Sequence, residues 1–98
     1  MTEDSEYEQN DERIIVIGNR PMKDYFWVMA LQFQWHRELI MHFMAYNTGT
    51  ITRLIDLFAQ FGVEEIKGTR KEVLVKGKNG KILKITECMI RKQGRLFP

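Results

Sequence analysis

Arg13-Ile14-Ile15-Val16-Ile17-Gly18-Asn19-Arg20-Pro21-Met22-Lys23-Asp24-Tyr25 changes its period within thirteen residues, and that change decides the fold. The β-branched run from Ile14 to Ile17 has the continuous apolar character of a strand buried on both faces. Gly18 ends it. Pro21 stands at the first turn of a helix, with Asn19 upstream as a cap and Asp24 placed to complement the helix dipole.

The helix predicted from Pro21 to about Trp35 is apolar on two sides. Met22, Phe26, Met29, Ala30 and Phe33 form one stripe at helical spacing, which suffices to cover a sheet. Trp27, Leu31 and Trp35 form a second stripe, which needs another partner; a subunit interface accounts for it better than base stacking, because large apolar residues on a helix mostly serve packing. Leu39 to Tyr46 reads as a second strand, and Asn47-Thr48-Gly49-Thr50 as a turn with candidate caps. Ile51, Leu54, Ile55, Phe58 and Phe61 then recur at helical spacing up to Gly62, which ends an amphipathic second helix. Two further strands follow, about 63–76 and 81–92, joined at Asn79-Gly80, the strongest short hairpin signal; Gly68 marks a bulge or bend in the first of them. The predicted order is β-α-β-α-β-β: an α+β sandwich of two helices on a four-stranded mixed sheet.

Ninety-eight residues hold one domain, and the 44% hydrophobic fraction supplies its core. The longest apolar run, Tyr25 to Leu31, is far short of the ~20 residues a bilayer requires, and the polar, acidic N-terminus is unlike a signal peptide. A single cysteine, Cys88, excludes an internal disulfide and suits a reducing cytoplasm. Residues 1–12 carry six acidic groups and no Lys or Arg, and read as a disordered acidic tail that competes for a basic surface. The domain, 13–98, therefore holds all fifteen basic groups against seven acidic ones, a net of +8. A domain this basic is an electrostatic partner for phosphate, although a solvated surface has the same composition.

Enzyme chemistry finds little support. His36, His42 and Cys88 make no zinc spacing, and the pattern calls for no metal or other cofactor. His42 in an apolar strand reads as a satisfied structural histidine, and Cys88 as a small buried hydrophobe. Glu64 and Glu65, adjacent in a strand, face opposite ways. Nucleic-acid binding has a more coherent set. Lys76, Lys78, Lys81 and Lys84 surround the Asn-Gly turn, where a two-stranded ribbon meets a groove or a phosphate backbone. Gly18 to Pro21 places Arg20 and backbone N–H groups at one helix start, and Thr48 to Thr50 form a second such site.

The sequence resembles the Alba family, small basic proteins of archaeal chromatin whose relatives include RNA-binding subunits of ribonuclease P. Ile14 to Tyr25 is similar to that family's opening strand, its Gly-Lys-Lys-Pro turn and a following Asn-Tyr pair. Thr50-Ile51-Thr52-Arg53-Leu54-Ile55-Asp56 resembles its Ala-Ile-Ser-Lys-Ala-Val-Asp, and Thr86-Glu87-Cys88-Met89-Ile90-Arg91-Lys92 its closing strand. The resemblance spans nearly all of 13–92 and implies the same element order, a homodimer or heterodimer, and binding of DNA or RNA with little sequence preference. Two departures stand out. Asn19-Arg20 replaces the paired lysines, so Arg20 keeps a charge while Asn19 offers no amine for acetylation. Ala45 to Thr50 replaces a Lys-Ala-Arg-Gly-Arg turn whose arginines do not carry over, which implies weaker or altered binding.

The resulting expectation is a non-enzymatic, cytoplasmic, chromatin- or RNA-associated protein. Its nucleic-acid-binding residues are Arg20, Lys23, Asn47, Thr48, Gly49, Thr50, Arg53, Lys76, Lys78, Lys81 and Lys84. Its subunit interface is formed by Trp27, Leu31, Trp35, Phe58 and Phe61. The rival is a protein-interaction subunit of the same fold with weak affinity for nucleic acid, favoured by the two-Trp helix and the missing basic turn.

Overall fold

Ile14–Ile17 forms strand β1, and Met22–Gln32 forms helix α1 in the computed structural model, which describes residues 12–77 and 79–93. Strand β2 (Glu38–Phe43) lies parallel to β1, so α1 is the crossover that parallel pairing demands. A 3₁₀ turn, Ala45–Asn47, leads into helix α2 (Thr48–Ala59). Strands β3 (Val63–Glu65), β4 (Lys71–Lys76) and β5 (Ile82–Lys92) complete the chain. The long β5 runs antiparallel to β2 on one side and to both β3 and β4 on the other. The fold is therefore α+β, with two helices on a mixed five-stranded sheet.

The predicted single strand 63–76 is two strands. Glu65 pairs with Ile90 and Lys71 with Glu87, so five residues, 66–70, stand opposite only Cys88 and Met89. Gly68, at φ +79°, takes the left-handed backbone that closes this detour, the bend its presence in the strand pattern signalled. Thr69 repairs the ladder. Its Oγ1 accepts the Met89 N–H at 3.0 Å and donates to the Ile66 carbonyl at 2.7 Å.

The main core lies between the helices and one sheet face. Ile15, Ile17, Leu39, Met41, Phe43, Cys88 and Ile90 from the sheet meet Tyr25, Met29, Phe33, Ile51, Leu54 and Phe58 from the helices. Phe58 is fully buried, stacked on Phe26 with ring centroids 4.8 Å apart. On the other face Val16 and Ile85 are buried together, with Ile14, Met44, Val73, Val75 and Leu83 packed around them. Val16 and its neighbours Ile15 and Ile17 are thus covered on opposite faces, as the unbroken β-branched run requires.

Helix α1 stops three residues before the predicted end, its last turn tightening through the Gln34 N–H to the Leu31 carbonyl and the Trp35 N–H to the Gln32 carbonyl. The Lys92 ammonium donates to the Phe33 carbonyl there, a cation at the negative end of the helix. No helix among the described residues is long and apolar enough to cross a membrane. The acidic stretch assigned to residues 1–12 lies, except for Glu12, outside the described residues, as does the end of the domain, 94–98.

Candidate nucleic-acid interface

Strands β1 and β2 are parallel and each is followed by a helix, so both helices begin at the same end of the sheet. The last paired residues there are Ile17, Phe43 and Thr86. Strand β5 reaches this level four residues after its start, so Ile82–Ile85 and their β4 partners extend past the end of β2 as a hairpin arm whose inner face packs on Val16 and Met44. One end of the molecule thereby collects the α1 start, the α2 start and the hairpin, the three elements that the lysines, Arg20 and the turn residues marked in the sequence. This is the end at which open sheets with helical crossovers hold their ligands.

The turn before α1 is braced from within. Tyr25 is fully buried, and its hydroxyl oxygen accepts the Gly18 N–H at 2.7 Å and the Arg20 N–H at 2.9 Å. Those two N–H groups are consumed by the fold, contrary to the expectation that they face a phosphate. Arg20 projects beside Asp24, 3.8 Å away, and Lys23 is exposed. Periodicity alone placed Tyr25 on no stripe; its role was hidden because a polar tip on an apolar body looks like an ordinary core aromatic.

At the α2 start the side chain of Asn47 is also structural. It is buried, and Nδ2 donates to the Ile17 carbonyl at 3.2 Å, tying the end of β1 to the start of α2. It is therefore not aimed at a ligand. Thr48 to Thr50, read as a turn, already belong to the helix. Thr48 Oγ1 donates to the Ala45 carbonyl at 2.7 Å, while Gly49 is exposed with open space around its Cα. Arg53 is exposed one turn further on.

The hairpin turn differs from a two-residue type I′ turn. Gly80 donates its N–H to the Gly77 carbonyl at 3.0 Å, and Gly77 in turn donates to the Lys81 carbonyl at 2.6 Å. Among the described residues of the turn only Gly80 has positive φ, +84°, and Asn79 does not, whereas a type I′ turn needs positive φ at both central residues. Asn79 Oδ1 accepts the Lys81 N–H at 3.1 Å, which explains asparagine without the type I′ geometry. Lys76, Lys81 and Lys84 are exposed; Lys78 lies outside the described residues. Lys84 approaches Glu72 at 3.3 Å, while Lys76 and Lys81 make no ion pair with a described residue.

Arg70, Arg91 and Lys71 are engaged by carboxylates away from this end. Arg70 makes two bonds to Glu65, at 2.6 and 3.0 Å, and lies over the Phe43 ring at 5.9 Å. Arg91 bonds Glu64 at 2.9 Å, which holds that carboxyl below its ordinary range. On the helix-free face His42 Nε2 meets Glu87 Oε1 at 2.9 Å, and Lys71 lies 3.4 Å from the other Glu87 oxygen. Burial raises the Glu87 pKa, but the His42 hydrogen bond and the nearby charges outweigh it and the net shift is downward. Cys88 is fully buried in the core, and its thiol is pushed up to about 11, chiefly by burial. Its packing role was legible in the sequence.

Of the interface residues, Trp27, Leu31 and Trp35 stand 67, 53 and 74% exposed along one face of α1 and beyond its end. Phe61 is partly exposed. Phe58 departs from the expectation: it fills the protomer's own core and offers no surface to a partner.

A mixed sheet covered on one face by two helices, with an overhanging hairpin at the end where both helices begin, is the Alba-like fold. Among solved structures, Alba from Thermoplasma volcanium matches with a TM-score of 0.59 and 14% sequence identity, over 81% of this chain and 99% of that one. No family model matches the sequence, and no curated protein is similar to it in sequence.

Proposed function

We propose that this chain is a non-enzymatic nucleic-acid-binding protein of low sequence specificity, chromatin- or RNA-associated in the cytoplasm. The observation that carries the reading is the gathering of two helix starts and a lysine-bearing hairpin, whose Lys76 and Lys81 meet no described carboxylate, at one end of an Alba-like fold. Lys76, Lys81 and Lys84 with Arg20, Lys23 and Arg53 supply phosphate contacts, and the exposed start of α2 at Thr48 to Thr50 adds neutral donors. Such contacts position a strand and read no bases, hence the low specificity.

The test is a titration with duplex DNA, duplex RNA and single strands at about 50 and 200 mM salt. Binding that weakens steeply with salt and little with sequence supports the reading. Absence of binding at low salt would leave the second reading, a subunit that associates through Trp27, Leu31 and Trp35. That reading rests on the exposure of three large apolar side chains on one helix, and either reading accommodates a homodimer or a heterodimer.

A further inference from the structure

The overhang of the hairpin leaves a cavity in the angle between the arm and the end of the sheet. Val16 and His42 line it from the sheet, Leu83 and Ile85 from the arm, and Met44 and Tyr46 from the segment after β2. Gly18 and Asn19 line the side nearest α1. Its volume is about 160 Å³, close to the ~150 Å³ of an engineered apolar cavity that takes benzene. One ring system fits, and nothing much larger.

We infer that this cavity holds a single unstacked nucleobase of a single-stranded nucleic acid whose phosphates lie on the surrounding cations. This rests on the nucleic-acid reading above and names the part of the ligand that the same end of the molecule would grip. Each wall of the cavity continues directly into a phosphate-binding element. Asn19 precedes Arg20 and the α1 start, Tyr46 lies two residues before the α2 start at Thr48, and Leu83 follows Lys81 at the foot of the turn, whereas Lys84 alternates to the opposite face of the arm. A base in the cavity therefore has the Arg20 and Lys81 charges on two sides and the start of α2 on a third for its own and its neighbours' phosphates. Tyr46 is 69% exposed, an unusual position for so large a ring, and at the cavity rim it offers a face for stacking. The walls are mostly apolar and the His42 Nε2 edge is committed to Glu87, so the cavity grips a flat ring through packing, without reading its hydrogen-bonding edge. Base identity then matters little, which agrees with low specificity. A duplex keeps its bases stacked and presents none to the cavity, so the site favours single strands, loops and bulges.

The test uses a single strand of about eight sugars, within the usual site size, carrying one central 2-aminopurine with abasic sugars elsewhere. An all-abasic strand and 2-aminopurine riboside monophosphate are the comparisons. At about 50 mM salt the base-bearing strand should bind the full-length chain about tenfold more tightly than the abasic one, with quenched fluorescence. Tyr46→Ala, at an exposed position, and Leu83→Trp, which fills the cavity, should each bring the two strands to within about twofold of one another. Equal affinity of the two strands in the wild type, with salt-dependent binding retained, overturns the base site and leaves the nucleic-acid reading standing. A monophosphate that binds as tightly as the base-bearing strand overturns the strand and makes the ligand a free nucleotide. If neither strand binds at low salt, both readings fall.

Discussion

Tyr25 shows what one polar atom contributes at the start of a helix. Pro21 has no N–H and precedes α1, and the turn before it must still satisfy the donors of Gly18 and Arg20. The tyrosine hydroxyl meets both, so Tyr25→Phe leaves two partly buried donors without that acceptor while conserving the ring. The variant should lose about 1–3 kcal/mol of unfolding free energy, measured by denaturant titration, and an unchanged midpoint would show that water replaces the hydroxyl without cost. Glu87 makes a pH-dependent contribution of the opposite chemical kind. Its carboxyl sits below its ordinary value near 4.5 in the folded chain, because His42 and Lys71 favour the charged form. Above 4.5 the carboxylate is ionised in both folded and unfolded chains and the stabilisation is complete. As pH falls, the unfolded chain takes up the proton first, and the contribution fades until the folded group also titrates. Glu87→Gln keeps a hydrogen-bond acceptor for His42 but removes the charge. Its stability should therefore fall less than the wild type's between about pH 5 and pH 3, read from thermal midpoints. Parallel curves would mean that Glu87 contributes nothing through its ionisation.

Elements were more legible than the joints between them. The β-branched run at Ile14, the helical spacing of Ile51, Leu54 and Phe58, and the glycines at 62, 68 and 80 each named an element or a bend correctly, because periodicity and positive φ act locally. The break of the 63–76 strand depends on Thr69 reaching Met89 across the sheet, a long-range bond with no local signature beyond Gly68. Asn47 looked like a ligand-facing turn residue for the same reason: its partner, the Ile17 carbonyl, is thirty residues away. The second stripe of α1 was read from spacing as surplus to the sheet, and it is indeed left on the surface of the protomer. A helix that exposes two tryptophans and a leucine together has a patch suited to association. Trp27→Ala with Trp35→Ala should leave the protomer folded, since neither ring belongs to its core, and should shift sedimentation toward a smaller species. In a subunit interface each truncation typically costs ~3–5 kcal/mol of assembly stability. Wild-type sedimentation unchanged by the double substitution would remove the stripe from any interface between copies.

Across the whole molecule, the arrangement of charge matters more than its sum. Glu64 and Glu65 engage Arg91 and Arg70 around the β3–β5 pairing, and Glu87 holds Lys71 on the helix-free face. These three carboxylates neutralise the middle and far end of the domain, and Asp24 and Glu72 approach Arg20 and Lys84, while Lys76 and Lys81 on the overhanging arm keep their charge unopposed by a described residue. The sequence showed the excess of cations in 13–98, yet it could not show which of them the carboxylates occupy, because those pairings join residues that only the folded sheet brings together. The consequence can be measured as a contrast between two double substitutions of equal charge. Each lysine that meets a phosphate of duplex DNA releases counterions and contributes about −0.9 to the slope of log affinity against log salt. Lys76→Ala with Lys81→Ala should therefore flatten that slope by about 2, similarly for every sequence tested. Arg70→Ala with Arg91→Ala removes the same formal charge from groups already paired with Glu65 and Glu64, and should change the slope by well under 1. Equal flattening by the two pairs, in variants with native circular dichroism, would mean that binding follows net charge and that the hairpin end holds no privileged place in it.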